Sequence, residues 1–395
     1  MKIAILTSGI LPVPAVQGGA VENLIDFYLE YNDRHQIHDI TVYSIWHRGV
    51  KKHEALKSRV NHYRFIKTTS LYARLKRWIF RHTLINGYYH YSIEYYLHEC
   101  IRHIRRQHYD VILIENRPAY ALKLRGETTA KLVYHLHNEK LTTKVHKAQA
   151  IYDAADGIIA VSEYIKGCVT AINTADRKTR TVYNGIDLKA FSCSATAIKR
   201  SELNLNNHDF VLIFSGRLNK EKGVLELIEA MTMLSNYPDI KLLIIGSSFF
   251  ANVGSDDFFC ATLKAKAAPL HNRIFFTGYI PYDQMPQYLR VADVAVIPSV
   301  WDDPFPTTVL EALAIGLPIV ATRRGGIPEE VTEESAILLN TDDNFKTNLA
   351  QAILDLYQHP EKRAAMSKAA LEHSKLFSKE RYAKEFFKAL EDGVR

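Results

Sequence analysis

The chain has 395 residues, more than one hydrophobic core usually organises, so two domains are expected. Its 47% apolar and 24% charged residues are ordinary for a soluble globular protein, and no run approaches the roughly 20 apolar residues of a membrane-spanning helix. A formal charge of +7 favours an anionic partner, such as nucleic acid, a membrane surface or a phosphorylated substrate. Four scattered cysteines without a CxxC pair indicate a reducing compartment and no metal cluster, which predicts a cytoplasmic protein.

The first half of the chain alternates apolar strand patterns with helical patterns. Strands are predicted at residues 3–6, 40–43, 111–114, 132–135, 157–161 and 181–183. A helix is predicted from about residue 21 to residue 32. Alternation of this kind is typical of a parallel sheet with helices on both faces.

The second half repeats this alternation. Strands are predicted at residues 211–215, 241–245, 273–277, 294–297 and 318–322, and helices at 224–234 and 378–390. The polar stretch 187–207 follows an Asn184-Gly185 turn and lacks periodicity. We therefore predict the hinge between two domains in this stretch.

Glycines and histidines follow two of the predicted strands in the first half. Gly18 and Gly19 open the first helix, and a glycine-permitted turn is enough to explain them. His135 and His137 lie at a strand end, and strand alternation turns both to the same side. A lone histidine is more often a satisfied polar residue than a catalytic one.

A basic amphipathic helix is predicted over residues 70–85. Leu71, Leu75, Trp78 and Ile79 fall on one side of it, and residues 64–81 contain Lys and Arg but no acid. Such a helix can lie in a membrane interface. The alternative is an ordinary helix that packs on its own domain and lets its cations reach water.

The loop Ser215–Gly223 carries several cations between a predicted strand and a predicted helix. Helix N-termini and backbone amides attract phosphate, and Arg217 and Lys222 add a planar fork and a mobile point charge. A solvated basic loop is the alternative.

Residues 298–329 read as loop, helix, strand and glycine turn after a buried strand. Pro304 and Pro306 are predicted in the first turn of the helix, where a missing N–H costs nothing. Asp303 precedes the helix and Glu311 falls in its second turn. Open α/β sheets bind ligands at the carboxyl ends of their strands, so both acids are predicted to face one crevice and bind hydroxyls.

This block resembles the donor site of the retaining GT-B glycosyltransferases of family 4, where two acids eight residues apart flank a small apolar helix. The family usually has Glu at the first acid in an E-P-F-G run, and this chain has Asp303-Pro304-Phe305-Pro306. The second acid matches as Glu311. The family's S/G-R-L-x-x-x-K-G pattern also matches, with Arg217 and Lys222 as its diphosphate-binding pair.

The resemblance implies an α/β fold of the GT-B class, with two facing Rossmann-like domains, parallel sheets and an interdomain cleft. Residues 1–187 would form the acceptor-side domain and residues 188–377 the nucleotide-sugar domain. The last helix, within 378–395, would cross back to the first domain.

The resemblance also implies roles for the matching residues. Arg217 and Lys222 would stabilise the departing diphosphate, while Asp303 would hold sugar hydroxyls and Glu311 ribose hydroxyls. His137 would sit near the reacting face of the sugar, with His135 as the alternative. The other donor-contacting positions would be Gly18, Gly19, Gly246, Gly278, Tyr279, Ile280, Pro306, Thr307 and Thr308.

The sequence therefore predicts a retaining glycosyltransferase that moves a sugar from a UDP-sugar to a hydroxyl of a cell-envelope glycan, such as lipopolysaccharide, or of a lipid-linked saccharide. No cofactor and no metal are expected, because the chain has no D-x-D motif. No nucleic-acid partner is expected, and membrane contact through residues 70–85 would make the protein peripheral on the inner face of the membrane. The alternatives are a GT-B nucleotide-sugar epimerase and a non-catalytic, membrane-associated nucleotide-sugar-binding protein.

Overall fold

The computed structural model describes residues 1–85, 87–192, 194, 196–247 and 258–394. The chain divides into two compact units, Met1–Asn184 with Glu380–Arg395, and Gly185–Lys379. Cys100, Cys168 and Cys260 are free thiols, and Cys193 lies outside the described residues. Among the helices of the described ranges, none has the length and apolar character needed to cross a membrane.

The first unit is built on a seven-stranded parallel sheet with helices between the strands. Its strands are β1 (Lys2–Leu6), β2 (Asp39–Ile45), β3 (Asn61–Ile66), β4 (Val111–Glu115), β5 (Lys131–Leu136), β6 (Gly157–Ala160) and β7 (Thr179–Thr181). Its helices are α1 (Ala20–His35), α2 (Leu71–Thr83), α3 (Tyr91–Ile104), α4 (Ala121–Leu124), α5 (Ala148–Asp153) and α6 (Glu163–Thr170). The strand order is β3-β2-β1-β4-β5-β6-β7.

The central strands of this sheet are buried on both faces. Every residue of β4 is buried, as are five of the six residues of β5. A continuous apolar run is what a strand covered by helices on both sides requires. The same continuous apolar runs allowed these strands to be predicted from the sequence.

Two strands of the first unit were not predicted correctly. Strand β3 was missed, because its residues Asn61, His62 and Arg64 break the apolar run of an edge strand that is partly exposed. Strand β7 ends at Thr181, where the prediction began, although the Val182 N–H still bonds to the Ala160 carbonyl over 2.9 Å.

The second unit is a six-stranded parallel sheet in the order β10-β9-β8-β11-β12-β13. Its strands are β8 (Phe210–Ser215), β9 (Ile240–Ile245), β10 (Ile274–Gly278), β11 (Val294–Ile297), β12 (Ile319–Thr322) and β13 (Ala336–Leu339). Its helices are α7 (Val224–Met233), α8 (Phe258–Ala267), α9 (Met285–Leu289), α10 (Thr307–Ile315), α11 (Ile327–Glu330), α12 (Phe345–Gln358) and α13 (Pro360–Ser374).

The strand predicted at residues 294–297 is confirmed as β11, whereas two other details of this unit were wrong. Strand β13 was missed, because its residues Ala336–Leu339 include only one β-branched side chain, so this short apolar run does not distinguish a strand from a helical turn. Pro304 and Pro306 lie before helix α10 and not in its first turn. Pro306 is the N-cap, with an extended ψ of 121°, so the helix begins one residue later at Thr307.

The last helix, α14 (Lys379–Asp392), packs into the core of the first unit. Tyr28 of α1 stacks on Phe386 with ring centroids 4.2 Å apart, and Phe387 closes on the same ring edge-on at 6.0 Å. Stacked and edge-on aromatic pairs of this kind add to the apolar burial of the helix. The C-terminal helix is therefore a structural part of the first sheet's helical layer.

Candidate active site

The order of strands in the second sheet reverses between β8 and β11. From β8 the chain proceeds outward to β9 and β10, and it then crosses to β11 and proceeds the other way. Open parallel sheets bind ligands outside the carboxyl ends of the strands at such a reversal. The two loops that follow these strands carry Arg217, Lys222 and Asp303.

A glycine holds these two loops in contact. Gly223 has a left-handed φ of 68°, and a Cβ at this position would lie 1.8 Å from the Pro298 carbonyl oxygen. The Val300 N–H also donates to the Glu221 carbonyl over 2.9 Å. Any side chain at position 223 would push the loops apart, so the glycine keeps Lys222 beside the end of β11.

Lys222 and Asp303 form an ion pair where the loops meet. The Lys222 ammonium donates to Asp303 Oδ2, and the Ser299 hydroxyl donates to the same oxygen over 3.3 Å. Trp301 borders the pair, with its ring centroid 5.9 Å from the Lys222 nitrogen. The cation predicted to bind diphosphate and the acid predicted to bind sugar thus neutralise each other in this structure.

The Gly325-Gly326 turn clamps the backbone of Asp303. A Cβ on Gly325 would lie 2.2 Å from the Asp303 carbonyl oxygen, and the Gly326 N–H donates to that oxygen over 2.8 Å. Close packing therefore explains Gly325. The Gly326 N–H is already bonded to Asp303, so it is not available to bind an anion.

Arg217 lies on the β8 loop with its side chain exposed to solvent. Its loop is held from β9, since a Cβ on Gly246 would lie 1.8 Å from the Gly216 carbonyl oxygen. The Leu218 N–H also donates to the Ser247 carbonyl over 3.1 Å. Gly246 is therefore a point of close backbone approach that positions the arginine.

Glu311 lies in the second turn of α10, as predicted, and it is buried among apolar residues of that helix. Burial raises the pKa of Glu311 to about 8, although a hydrogen bond with Thr307 opposes the rise. The carboxyl is consequently protonated at neutral pH in this structure.

A second buried acid, Glu330 at the end of α11, was not predicted from the sequence. Neither carboxyl oxygen of Glu330 has a hydrogen-bond partner among the described residues. Burial raises the pKa of Glu330 well above its usual value, and Asp303 adds to the rise. Adjacent acids at 329 and 330 look alike in the sequence, because only the packing of the short helix decides which one turns inward.

The remaining predicted donor contacts lie at the same edge of the second sheet. Pro306, Thr307 and Thr308 begin α10, while Gly278, Tyr279 and Ile280 end and follow the edge strand β10. Gly278 has a φ of 75°, and its carbonyl accepts the Gly246 N–H over 2.9 Å. Their contact with a donor stays a prediction.

In the first unit, strand order reverses between β1 and β4, and Gly18 and Gly19 end the loop after β1. Both have positive φ, at 73° and 106°. A Cβ on Gly19 would lie 2.2 Å from the Glu22 carboxyl, whose pKa is raised to about 7 by burial. The positive φ is what favours glycine at position 19, because the Glu22 carboxyl is the end of a flexible side chain that could move aside.

His135 and His137 both turn toward Glu115, the last residue of β4. His137 Nε2 lies 2.9 Å from the Glu115 carboxylate and His135 Nδ1 lies 3.1 Å from it. Their potential ligand atoms lie within 4.8 Å of one another, as do those of His208, Asp209 and Asp239, so either trio has the spacing to hold a metal ion. Sequence reasoning missed Glu115, whose only signal was an acid that ended an apolar run.

Two parallel sheets, each with polar loops at its strand reversal, define the GT-B class of glycosyltransferase folds. HepE from Anabaena, solved with UDP and glucose, superposes with a TM-score of 0.75 and 21% identity, over 99% of each chain. The fold predicted from the sequence is confirmed.

Sequence comparison identifies the family. The model for glycosyl transferases group 1 matches residues 196–373, and the model for Glycosyltransferase Family 4 matches residues 34–190. YtcC of Bacillus subtilis (strain 168) is 30% identical over 386 residues, which are 94% of this chain and 87% of that protein. Spore coat protein SA of the same organism is 29% identical over 384 residues, 93% of each chain. The chain belongs to the group 1, family 4 glycosyltransferases, and it is a transferase enzyme.

The pKa of Glu311 predicts a pH-dependent effect of the substitution Glu311→Gln. A carboxyl with a raised folded-state pKa contributes stability below its unfolded value near 4.5, and this contribution is lost as the pH rises through about 8. The loss amounts to roughly 1.4 kcal/mol per pH unit inside that window. We expect Glu311→Gln to gain stability relative to the wild type between pH 5 and pH 8, measured by urea unfolding.

The exposed Glu361→Gln substitution on α13 is the matched control and should show the same difference from the wild type at both pH values. A Glu311→Gln difference that does not change with pH would show that this carboxyl is not held protonated.

Proposed function

We propose that the protein transfers a sugar from a UDP-sugar to a hydroxyl of a cell-envelope glycan or lipid-linked saccharide, with retention and without a metal ion. The Lys222–Asp303 ion pair at the strand reversal of the second sheet carries this proposal. The solved HepE structures with UDP and with UDP-glucose support the choice of nucleotide. Retention is inferred from the family.

The charges at the pair suit a nucleoside diphosphate. A departing diphosphate needs positive charge where its bond to the sugar breaks, and Arg217 and Lys222 supply it. When Lys222 turns to the diphosphate, Asp303 loses its cation and gains free acceptor oxygens for sugar hydroxyls. The resting ion pair thus holds both groups ready without leaving a buried charge unpaired.

The other roles follow from position and chemistry. Glu311 is proposed to bind the ribose hydroxyls from α10, where a carboxyl with a pKa near 8 can donate or accept. His137 is proposed to contact the donor sugar. Gly18, Gly19, Gly246 and residues 278–280 and 306–308 are proposed as backbone or side-chain contacts to the donor.

Purified protein incubated with UDP-, GDP- and ADP-sugars tests this proposal. We expect slow release of UDP from one UDP-sugar, unchanged by EDTA, because Arg217 and Lys222 take the place of a metal cation. Release of an isomerised nucleotide sugar without acceptor would instead indicate an epimerase. Thermal stabilisation by a donor without any turnover would indicate a binding protein, and EDTA-sensitive release would overturn the metal-independent mechanism.

Arg217→Ala is expected to reduce donor turnover by at least ~10²-fold, because the exposed guanidinium would stabilise the leaving diphosphate. Arg290→Ala removes an exposed arginine after α9 and serves as the matched control. Steady-state UDP release measures both. Unchanged turnover in Arg217→Ala would exclude the arginine from leaving-group stabilisation.

Helix α2 supports the membrane-linked part of the proposal. Leu71, Leu75 and Trp78 are 84%, 59% and 61% exposed, so the apolar side of this helix faces away from its own unit. The contact with α3 is made instead by the opposite side, where Ala73 is fully buried. Helix α2 therefore packs on its own unit while its apolar side stays exposed, and this exposure supports the membrane-interface interpretation.

The surroundings of this apolar stripe favour an anionic lipid surface. Arg74, Lys76, Arg77 and Arg81 flank it, and α2 contains no acid. Apolar side chains that enter the interface while cations meet headgroups are typical of helices that lie on membranes. A lipid-linked acceptor would be presented at such a surface.

Replacing Leu75 and Trp78 together by Ala should reduce binding to vesicles of phosphatidylcholine and phosphatidylglycerol by about 30-fold or more, because each side chain contributes roughly 1 kcal/mol or more when buried in the interface. Co-sedimentation measures the binding, which should weaken with added salt and be absent with phosphatidylcholine alone. The control replaces the exposed Met233 and Leu376 by Ala. Equal binding by all three proteins would remove α2 as a membrane contact.

A further inference from the structure

Four polar side chains meet inside the first unit, next to its strand reversal. The Tyr28 hydroxyl donates to Glu115 Oε1 over 2.8 Å, and His135 and His137 approach the same carboxylate as described above. Glu115, Tyr28 and His135 are fully buried. Glu115 therefore accepts three hydrogen bonds in a place where water does not reach it.

These contacts decide where the histidine protons lie. An ionised carboxylate can only accept, so each nitrogen that faces it must carry a proton: Nε2 of His137 and Nδ1 of His135. Three donors surround this one buried carboxyl, and hydrogen bonds of this kind stabilise its ionised form. The His137 side chain is itself buried, which favours the neutral ring. The lone pair of a neutral His137 is then on Nδ1.

The backbone after β4 holds His137 in this orientation. Asn116 has a left-handed φ of 54°, and its side-chain oxygen accepts the His137 N–H over 3.3 Å. Its own N–H donates to the His135 carbonyl over 2.8 Å. On the other side, Tyr28 is fixed by its stacking on Phe386. A non-glycine residue in this backbone region costs energy, and such strain persists where the surroundings enforce it.

Two ring nitrogens in this cluster have no partner within the described residues. His135 Nε2 is fully buried, so no ligand reaches it from solvent. His137 Nδ1 makes no hydrogen bond within the described part of the chain, although the opposite ring nitrogen is strongly held. The free nitrogen belongs to the residue that follows the end of β5, at the ligand-binding edge of the sheet.

We propose that Glu115 is a positioning residue that fixes the tautomer of His137, so that Nδ1 accepts a hydrogen bond from a hydroxyl of the donor sugar. This inference rests on the proposed function for the identity of the hydroxyl, but not for the tautomer. Glu115 acts only through His137, in the way that a buried carboxylate orients the histidine of a catalytic triad. Tyr28 and His135 donate the other two hydrogen bonds that Glu115 accepts, and these bonds stabilise its ionised form.

The tautomer is measured directly by long-range ¹H–¹⁵N spectra of protein labelled at histidine nitrogens. His137→Gln identifies the His137 signals by their absence. In the wild type we expect Nε2 to be protonated and Nδ1 to carry the lone pair. Glu115→Gln replaces one acceptor oxygen by an amide donor, so we expect His137 to change its tautomer. Glu94→Gln, at another buried carboxyl of the first unit, should leave it unchanged.

A kinetic measurement with the same variants tests the sugar contact. We expect Glu115→Gln to lower kcat/KM for the UDP-sugar by at least about 10-fold, because a wrong histidine tautomer costs up to about 10⁴-fold in a catalytic triad. Its affinity for UDP by calorimetry should stay within about twofold of the wild type, because UDP lacks the sugar that His137 would contact. A purely structural defect would weaken UDP binding as well.

Three results would overturn the inference: a wild-type His137 with its proton on Nδ1, an unchanged tautomer in Glu115→Gln, or a changed tautomer with full turnover. The first is read from the wild-type spectrum, so the inference stays testable even if Glu115→Gln does not fold. If the wild type uses no UDP-sugar and does not bind UDP, the proposed function fails, while the spectra still decide the role of Glu115.

Discussion

The backbone contact at Gly223 is the constraint on which the proposed donor site depends. Parallel strands β8 and β11 are neighbours, but their loops meet only because position 223 has no side chain where the Pro298 carbonyl lies. Gly325 produces a second contact of this kind against Asp303. Together they bring a lysine and an aspartate, distant in sequence, to one point at the edge of the sheet. The charges can pair there because the backbone has already removed the freedom of both loops.

Hydrogen-bond donors, and not burial, distinguish the charge states of the buried acids. Glu115, Glu311 and Glu330 are all buried, and burial by itself favours the neutral acid. Glu115 faces three donors and stays ionised, whereas Glu311 has the hydroxyl of Thr307 and Glu330 has no partner within the described residues. The first unit therefore contains a buried carboxylate bonded to two histidines and a tyrosine, and the second contains buried carboxyls with a raised pKa near the Lys222–Asp303 ion pair. Each arrangement avoids an uncompensated buried charge.

The sequence was most informative where a strand is buried on both faces or where a motif is contiguous. Strand β11 and the helix with Glu311 in its second turn could be predicted, because local apolar patterns determine them. Strands β3 and β13 could not, because polar residues interrupt β3 and β13 has only one β-branched residue. The start of α10 was placed too early, since the extended conformation of Pro306 is a property of the folded loop.

The sequence by itself determined the class of fold and the family, and it led to the residues proposed for the donor site, because these depend on periodicity and on motifs read along the chain. Only the tertiary structure decided which side chains meet: Lys222 with Asp303, Tyr28 with Glu115, and Glu115 with His137. It also decided that the apolar side of α2 faces outward. The three pairs are separated by 81, 87 and 22 positions in the sequence, and no local pattern encodes these contacts. Proton positions and charge states follow from these contacts, so they too became visible only in the folded chain.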